Sequence, residues 1–382
     1  MTRNSTNWLA RARKFGPIIQ TYRDAAEQSR QMPRPLFEAL RNAGFFRLWI
    51  PRRFGGPEVD MLTFMRVVEA LARLDGAAGW NVMIGAEGSA FAAYLPEDTA
   101  RELFAPAHAV VAGSFQPRGD ATPVTGGYLV SGVWPLASGC AHATILAGAC
   151  RVMEEDGART GPNGTPERQV CVIPAAECEV IDTWYSAGLR GTGSSDFRVK
   201  DAFVPEDHCF SLTQGPTAAP GALYGTTLPV LFALPVSAVG LGIARAAIDA
   251  FITLAAGKVR LGGSAALAQD GLVQTTVGRA EAQLHSARAF ALDVAEEMTR
   301  ATAAEGQISR DTTALVALAA AQAAETATEV VTMLFKLAGA SAIYASSRLE
   351  RCFRDVHMLT QHRATNVFNF ETAGRHFLGL DP

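Results

Sequence analysis

Charge is what this sequence has least of. Only 19% of its 382 residues are Asp, Glu, Lys or Arg, and the signs nearly cancel: 34 basic against 37 acidic, a net charge of −3. The basic excess that would neutralise a phosphate backbone is missing, which argues against a nucleic-acid partner. The six cysteines (Cys140, Cys150, Cys171, Cys178, Cys209, Cys352) contain no CxxC pair, and the N-terminal MTRNSTNWLARARKFGP has no apolar signal region. Reduced thiols in a cytoplasmic protein are therefore expected. No 18-residue uncharged apolar run points to a membrane span.

Several site motifs are also absent. No GxGxxG opens a βαβ unit: Gly240-Leu241-Gly242-Ile243-Ala244-Arg245 has Arg where the third Gly belongs, and Gly191-Thr192-Gly193-Ser194-Ser195-Asp196 fails in the same way. A Rossmann nicotinamide site is thus excluded. The chain has no P-loop, no GxSxG elbow and no HExxH. Its seven histidines include His357 and His362, five apart and so roughly 140° around a helix, which does not converge on one metal. No metal site is expected.

What remains is a chain that is 48% apolar, enough for a large core and excluding disorder. Its texture divides it into three. Residues 1–109 read as helical: Leu36, Phe37 and Leu40 form a stripe ending at Gly44, Asp60 is a suitable N-cap for a helix carrying Leu62, Met65, Val68, Leu71 and Ala72, and Trp80 to Tyr94 is apolar all round apart from Asn81 and Glu87. Residues 110–212 carry short β-branched and aromatic runs such as GGYLVSGVW, with Gly126-Gly127 as a hairpin signal, and read as an antiparallel β domain. Residues 152–168 read as a polar hairpin or loop and Thr213 to Gly225 as a linker; within 213–382, long helical periods over Val236–Ala256, Asp270–Ala304 and Asp311–Leu337 predict a bundle.

Four stretches resemble one family: FRLWIPRRFGGPEVD, GGYLVSGVWPLASGCAHATILAGA, DTWYSAGLRGTGSSDFRVKDAFVPEDH and LERCFRDVHMLTQHRATN. In order and spacing they resemble the acyl-CoA dehydrogenase superfamily. The resemblance implies an α+β protein with an N-terminal helical domain, a central antiparallel β-barrel and a C-terminal four-helix bundle, generally tetrameric, with a flavin between barrel and bundle. Common dehydrogenases carry a Glu near the C-terminus that removes a substrate proton. Here Arg363 stands in that place, after His362. The segment Trp134, Ser138, Gly139, Cys140, His142 is similar to that of the flavin-dependent monooxygenases on this fold, the oxygenase components of two-component hydroxylases. Reduced FAD or FMN from a separate flavin reductase would then react with O2 to a flavin C4a-hydroperoxide and oxygenate a small aromatic, heteroaromatic or amine substrate. An FAD-dependent acyl-CoA dehydrogenase and a flavin-free scaffold subunit are the rival readings.

The resemblance also nominates residues. His362 would hold or donate the proton of the oxygenated flavin. Ser138 would approach the isoalloxazine edge or a substrate hydroxyl, or serve only as a turn residue, Ala137 would lie at the flavin beside it, and Trp134 would pack near the flavin or in the core. Arg190, Thr192 and Ser194 would line the barrel side or form a structural turn. Arg260 would hold the flavin phosphate, since its fork suits phosphate, and Thr365 would also reach the flavin. Glu87 stands in the helix where phenol hydroxylases carry a His; it would act as a base, pair with a substrate amine or serve structurally, with burial raising its pKa. Arg354 and Asp355 read as a structural pair.

Overall fold

The computed structural model describes residues 3–161, 164–212, 215–216, 221–259 and 262–380. Its N-terminal block holds helices α1 (Arg3–Lys14), α2 (Gly16–Ser29), α3 (Arg34–Asn42), α4 (Met61–Leu74), α5 (Gly76–Ser89) and α6 (Glu97–Phe104). Asp60 caps α4, accepting from the Thr63 amide at 2.8 Å. Phe64, Val67, Val68 and Leu71 then turn one stripe into the core, each fully buried. One extended residue, Asp75, ends α4 and caps α5 by accepting from the Ala78 amide at 2.9 Å. Every residue of α5 except Ile84 is buried. Glycines let it sink that far: a Cβ on Gly85 would lie 2.5 Å from Phe46 and one on Gly88 2.6 Å from Val111.

Strands β1 (Val111–Val124), β2 (Gly127–Trp134), β3 (Ile145–Glu154), β4 (Gly157–Ala158), β5 (Arg168–Pro174), β6 (Glu179–Ile181), β7 (Asp196–Pro205) and β8 (Cys209–Phe210) form one sheet in the order β6-β7-β2-β1-β3-β5-β8, with β4 paired to β3. The expected hairpin joins β1 to β2 around Gly126, at φ +83°. The sheet is mixed, not purely antiparallel, because β1 and β3 run parallel. A parallel neighbour cannot follow from a tight turn; the chain must cross over. Residues 135–144 make that crossover, and they contain Ala137, Ser138 and His142.

One face of the sheet encloses its own core, and Trp134 is at its centre. The indole stacks on Phe197 with centroids 4.9 Å apart and donates from Nε1 to the Ala149 carbonyl at 2.7 Å. Gly119, Gly132 and Gly148 leave the space it fills: a Cβ on any of them would come within 2.8 Å of the ring. Trp134 is therefore barrel core and not a flavin neighbour, since a side chain this enclosed has no face left for a ligand.

The C-terminal part comprises α7 (Leu228–Leu231), α8 (Ala233–Gly257), α9 (Gly271–Glu305), α10 (Arg310–Ala338), α11 (Arg348–Leu359) and α12 (Phe368–Phe377). Helices α8 to α11 pack on one another as the expected bundle, and α10 ends at Gly339. By length and composition, Leu228–Gly257 and Arg310–Ala342 would suffice to cross a membrane, yet 89% and 61% of their most apolar windows are buried inside the protein. One continuous core joins α4 and α5 to α8 and α10. Arg288 of α9 reaches Glu69 of α4 at 2.7 Å across that seam. The polar stretch after β3 begins as a hairpin with β4, although residues 162–163 lie outside the described residues. So do residues 213–214 and 217–220 of the expected linker.

Replacing Trp134 by Ala should destabilise the protein by about 3–5 kcal/mol, the range for emptying a large aromatic site. Urea unfolding of the variant checks this; a loss below about 1 kcal/mol would contradict the packing described.

Candidate active site

Two loops and one helix build the site. The crossover loop starts with Leu136 at φ +61°, and the loop before β7 has Leu189 at φ +49°. Leucine in the left-handed region costs of order 1 kcal/mol or more, so both turns must be held from outside. They are held by each other: the Gly139 amide donates to the Thr192 carbonyl at 2.9 Å and the Ala137 amide to the Ser195 carbonyl at 3.0 Å. From α11, Asp355 accepts the Leu189 amide at 2.6 Å. Arg354 binds the Ala187 carbonyl at 2.6 Å and Glu27 at 2.8 Å. Arg354 and Asp355 are thus structural, as expected, but they tie separate partners and are not bonded to each other.

Helix α5 then clamps both loops. Asn81 donates from Nδ2 to the Gly191 carbonyl at 3.1 Å. Trp80 donates from Nε1 to the Ser138 hydroxyl at 2.9 Å. Ser138 lies 2.7 Å from the Ser194 hydroxyl, which lies 2.7 Å from that of Thr192. An indole N–H can only donate, so Ser138 accepts there and retains a proton to give. The structure brings Ala137, Ser138, Thr192 and Ser194 together as the resemblance implies, and all four are buried. It adds Trp80 and Asn81 to them. The signal for Asn81 was in the sequence: an amide inside an all-apolar helix must find a partner.

His362 reaches this cluster from the turn after α11. Its ring meets Trp80 edge-on, with centroids 5.5 Å apart. Its Nδ1 accepts from the Ala364 amide at 3.2 Å, which places the ring proton on Nε2. Burial pushes its pKa down to about 4, so at neutral pH His362 is an uncharged donor, not an imidazolium. His142, stacked on Phe37 at 4.5 Å, is likewise held neutral by burial, with a pKa of about 4.

Arg190 and Thr365 turn away from the cluster, and Glu87 is buried in its apolar helix as expected. The Arg190 guanidinium turns to α2, donating to the Glu27 carbonyl at 3.2 Å, and back to the Ser186 carbonyl at 3.2 Å; it braces the loop. The buried Thr365 hydroxyl donates to the Leu359 carbonyl at 2.9 Å and so closes its own turn. Glu87 is 5% exposed, and its Oε1 has no hydrogen-bond partner. Burial lifts its carboxyl well above the usual range, which favours the acid form. Arg260 lies outside the described residues. Among the described residues no cluster of His, Cys, Asp or Glu could hold a metal. A cavity lined by Asp24, Asp75, Arg348, Arg351 and Asp355 opens at the first turn of α5, away from the hydroxyl cluster.

A flavin ring needs a flat apolar wall and hydrogen bonds for its polar edge. Trp80 offers the first; the Ser138 hydroxyl and the His362 Nε2–H, which no described residue accepts, offer the second. The donor set therefore fits an isoalloxazine.

Comparison with known proteins agrees. Residues 9–102 match the family model for the acyl-CoA dehydrogenase N-terminal domain, and residues 234–367 that for the C-terminal domain. Indole-3-acetate monooxygenase of Pseudomonas putida is 33% identical, over 98% of this chain and 95% of its own length. The flavin-dependent monooxygenase oxygenase subunit HsaA of Mycobacterium tuberculosis is 28% identical, over 100% of this chain and 97% of its own. The structure of XiaF from a Streptomyces species, solved with FADH2 and glycerol, superimposes with a TM-score of 0.90 at 24% identity, covering 99% of this chain and 96% of XiaF. The chain belongs to the acyl-CoA dehydrogenase superfamily and, within it, to the flavin-dependent monooxygenases. It is an oxidoreductase whose cofactor is reduced FAD or FMN.

The two neutral histidines set a pH dependence. In the folded protein they bind protons only near pH 4, whereas in the unfolded chain they do so from 6.5. The unfolded state thus holds more protons between those values, and stability should fall as pH drops from about 6.5 toward 4. Urea midpoints across this window test it. The slope should flatten in His142→Phe, and an unchanged slope would remove His142 from the account.

Proposed function

We propose that this protein is the oxygenase component of a two-component system. It would take reduced FAD or FMN from a separate flavin reductase and insert one atom of O2 into a small aromatic or heteroaromatic substrate by way of a flavin C4a-hydroperoxide. The relatives' names support the substrate class. The observation that carries the reading is the uncharged His362 donor beside Trp80 and Ser138, at the place where a dehydrogenase would present a carboxylate. Arg363, which stands where that Glu would be, is exposed to solvent, so it supplies no base.

When bound, the reduced flavin supplies two electrons, so that one oxygen atom enters product and the other leaves as water. The chain's own residues hold and shelter. Trp80 walls the ring, Ser138 bonds its polar edge, and Arg260 is assigned its phosphate by family resemblance. His362 keeps a proton at Nε2, donated as a hydrogen bond without being lost, because Ala364 fixes the tautomer. The buried setting limits water, which would otherwise release the activated oxygen as peroxide. We further propose a cytoplasmic homotetramer. Ile343, Tyr344, Phe368 and Leu378, each more than half exposed, give the C-terminal region an apolar surface suited to a second copy.

Mixing the protein with chemically reduced FMN or FADH2, indole and 18O2 tests the reading. Product should gain one 18O atom per oxygenation, and none in the product would overturn it. His362→Ala should keep the fold but divert most oxygen to hydrogen peroxide, a coupling loss of roughly ten-fold or more if the hydrogen bond is worth about 1.4 kcal/mol. Unchanged coupling would remove His362 from the mechanism.

A further inference from the structure

Trp80, Ile84 and Glu87 recur at i, i+4 and i+7 along α5, and Phe91 follows one turn on. They share a stripe, with Glu87 ~10 Å along the axis from Trp80. The Trp80 end meets Ser138 and His362. Ile84 is the only residue of α5 that is not buried.

The far end is aromatic. Phe91 lies 5.8 Å from Phe115 and 6.4 Å from Phe232, and Phe115 stacks on Phe232 at 6.0 Å. Phe115 is 40% exposed, at the point where β1 slips register against β3 between Ser114 and Gly119. Such irregularities re-aim side chains beside active sites. One buried polar atom on this stripe has no partner, the Glu87 Oε1. Leaving buried polar groups unpaired costs about 1–3 kcal/mol each, a cost that a guest supplying the missing bonds removes.

We propose that this wall receives the ring of the aromatic substrate, and that Glu87 is the specificity-determining residue, accepting a hydrogen bond from a ring N–H or O–H. The assignment rests on the monooxygenase reading above and narrows its substrate class to neutral aromatic rings that carry such a donor, indoles among them. Burial raises the Glu87 pKa and so favours the acid form, whose carbonyl oxygen accepts the bond while the substrate keeps its proton. An apolar wall with a few placed polar groups is the usual make-up of a small-molecule site.

Indole and indene, a bicycle of nearly the same shape without the N–H, are the probes. Their Kd values are measured calorimetrically on the protein loaded with reduced FMN under anaerobic conditions. The wild type should prefer indole by roughly ten-fold or more. Glu87→Gln, which keeps an acceptor, should retain that preference. Glu87→Leu should abolish it by weakening indole while leaving indene bound. Equal affinity for the two probes in the wild type, binding of neither, or a preference that survives in Glu87→Leu would overturn the assignment. The titrations use no oxygen, so a failed 18O2 experiment strikes the reaction and these titrations strike Glu87.

Discussion

The site depends on one steric and hydrogen-bonding constraint: α5 must lie deep enough for Trp80 and Asn81 to reach two loops at once. Glycines at 85 and 88 permit the depth, and Asp75 sets the start of the helix to the residue. From there the indole N–H fixes Ser138 and the amide fixes the Gly191 carbonyl. Neither loop has a regular ladder of its own, and each contains a leucine at positive φ. The clamp and the Asp355 bond from α11 offset that strain, so the hydroxyl row of Ser138, Ser194 and Thr192 is positioned by helices that belong to the main core. Sites mounted on rigid elements in this way keep their geometry better than sites on free loops.

Burial then decides the protonation states. His362 and His142 are both pushed to the neutral form, and the Glu87 carboxyl is shifted toward the acid form. The stripe of α5 and its neighbours therefore offer hydrogen bonds without net charge. Such a lining excludes bulk water without stranding an ion in a low dielectric, where an unpaired charge is costly. Charged pairs are placed elsewhere, such as Arg354 with Glu27 and Arg288 with Glu69, where they brace seams between elements.

Much of this was legible in the sequence, and the failures have physical causes. Helix limits at Gly44 and Asp60 and the turn at Gly126 are local, so residue type suffices to find them. The parallel pairing of β1 with β3 is not local: strand runs look alike whichever way a neighbour points, and only the crossover reveals it. The same limit applied to Trp134, Arg190 and Thr365. A motif can bring a residue to a loop but does not say to which side its side chain turns. Trp134 turned into space left by three glycines far apart in sequence. Arg190 turned to a carbonyl of α2, more than a hundred residues away. Ser138, Thr192 and Ser194 were readable because small hydroxyls in tight loops have few other places to point.

Arg363 and His362 show what separates this chain from a proton-abstracting relative. Removing a proton from carbon needs a carboxylate that is ionised and close to the substrate. Near Trp80 and Ser138 the chain instead presents a histidine whose only ring proton is held on Nε2 by a backbone amide. The carboxyl on the same face of α5, Glu87, is two turns away, and burial raises its pKa well above the usual range. A lining of this kind is poor at taking protons and good at keeping them where they are. Oxygen activation on a reduced flavin makes the second demand and not the first, since a proton lost early releases the oxygen as peroxide. On the reading proposed above, Arg363 in place of that acidic residue and the neutral, half-buried His362 suit this lining to oxygen activation better than to removing a proton from carbon.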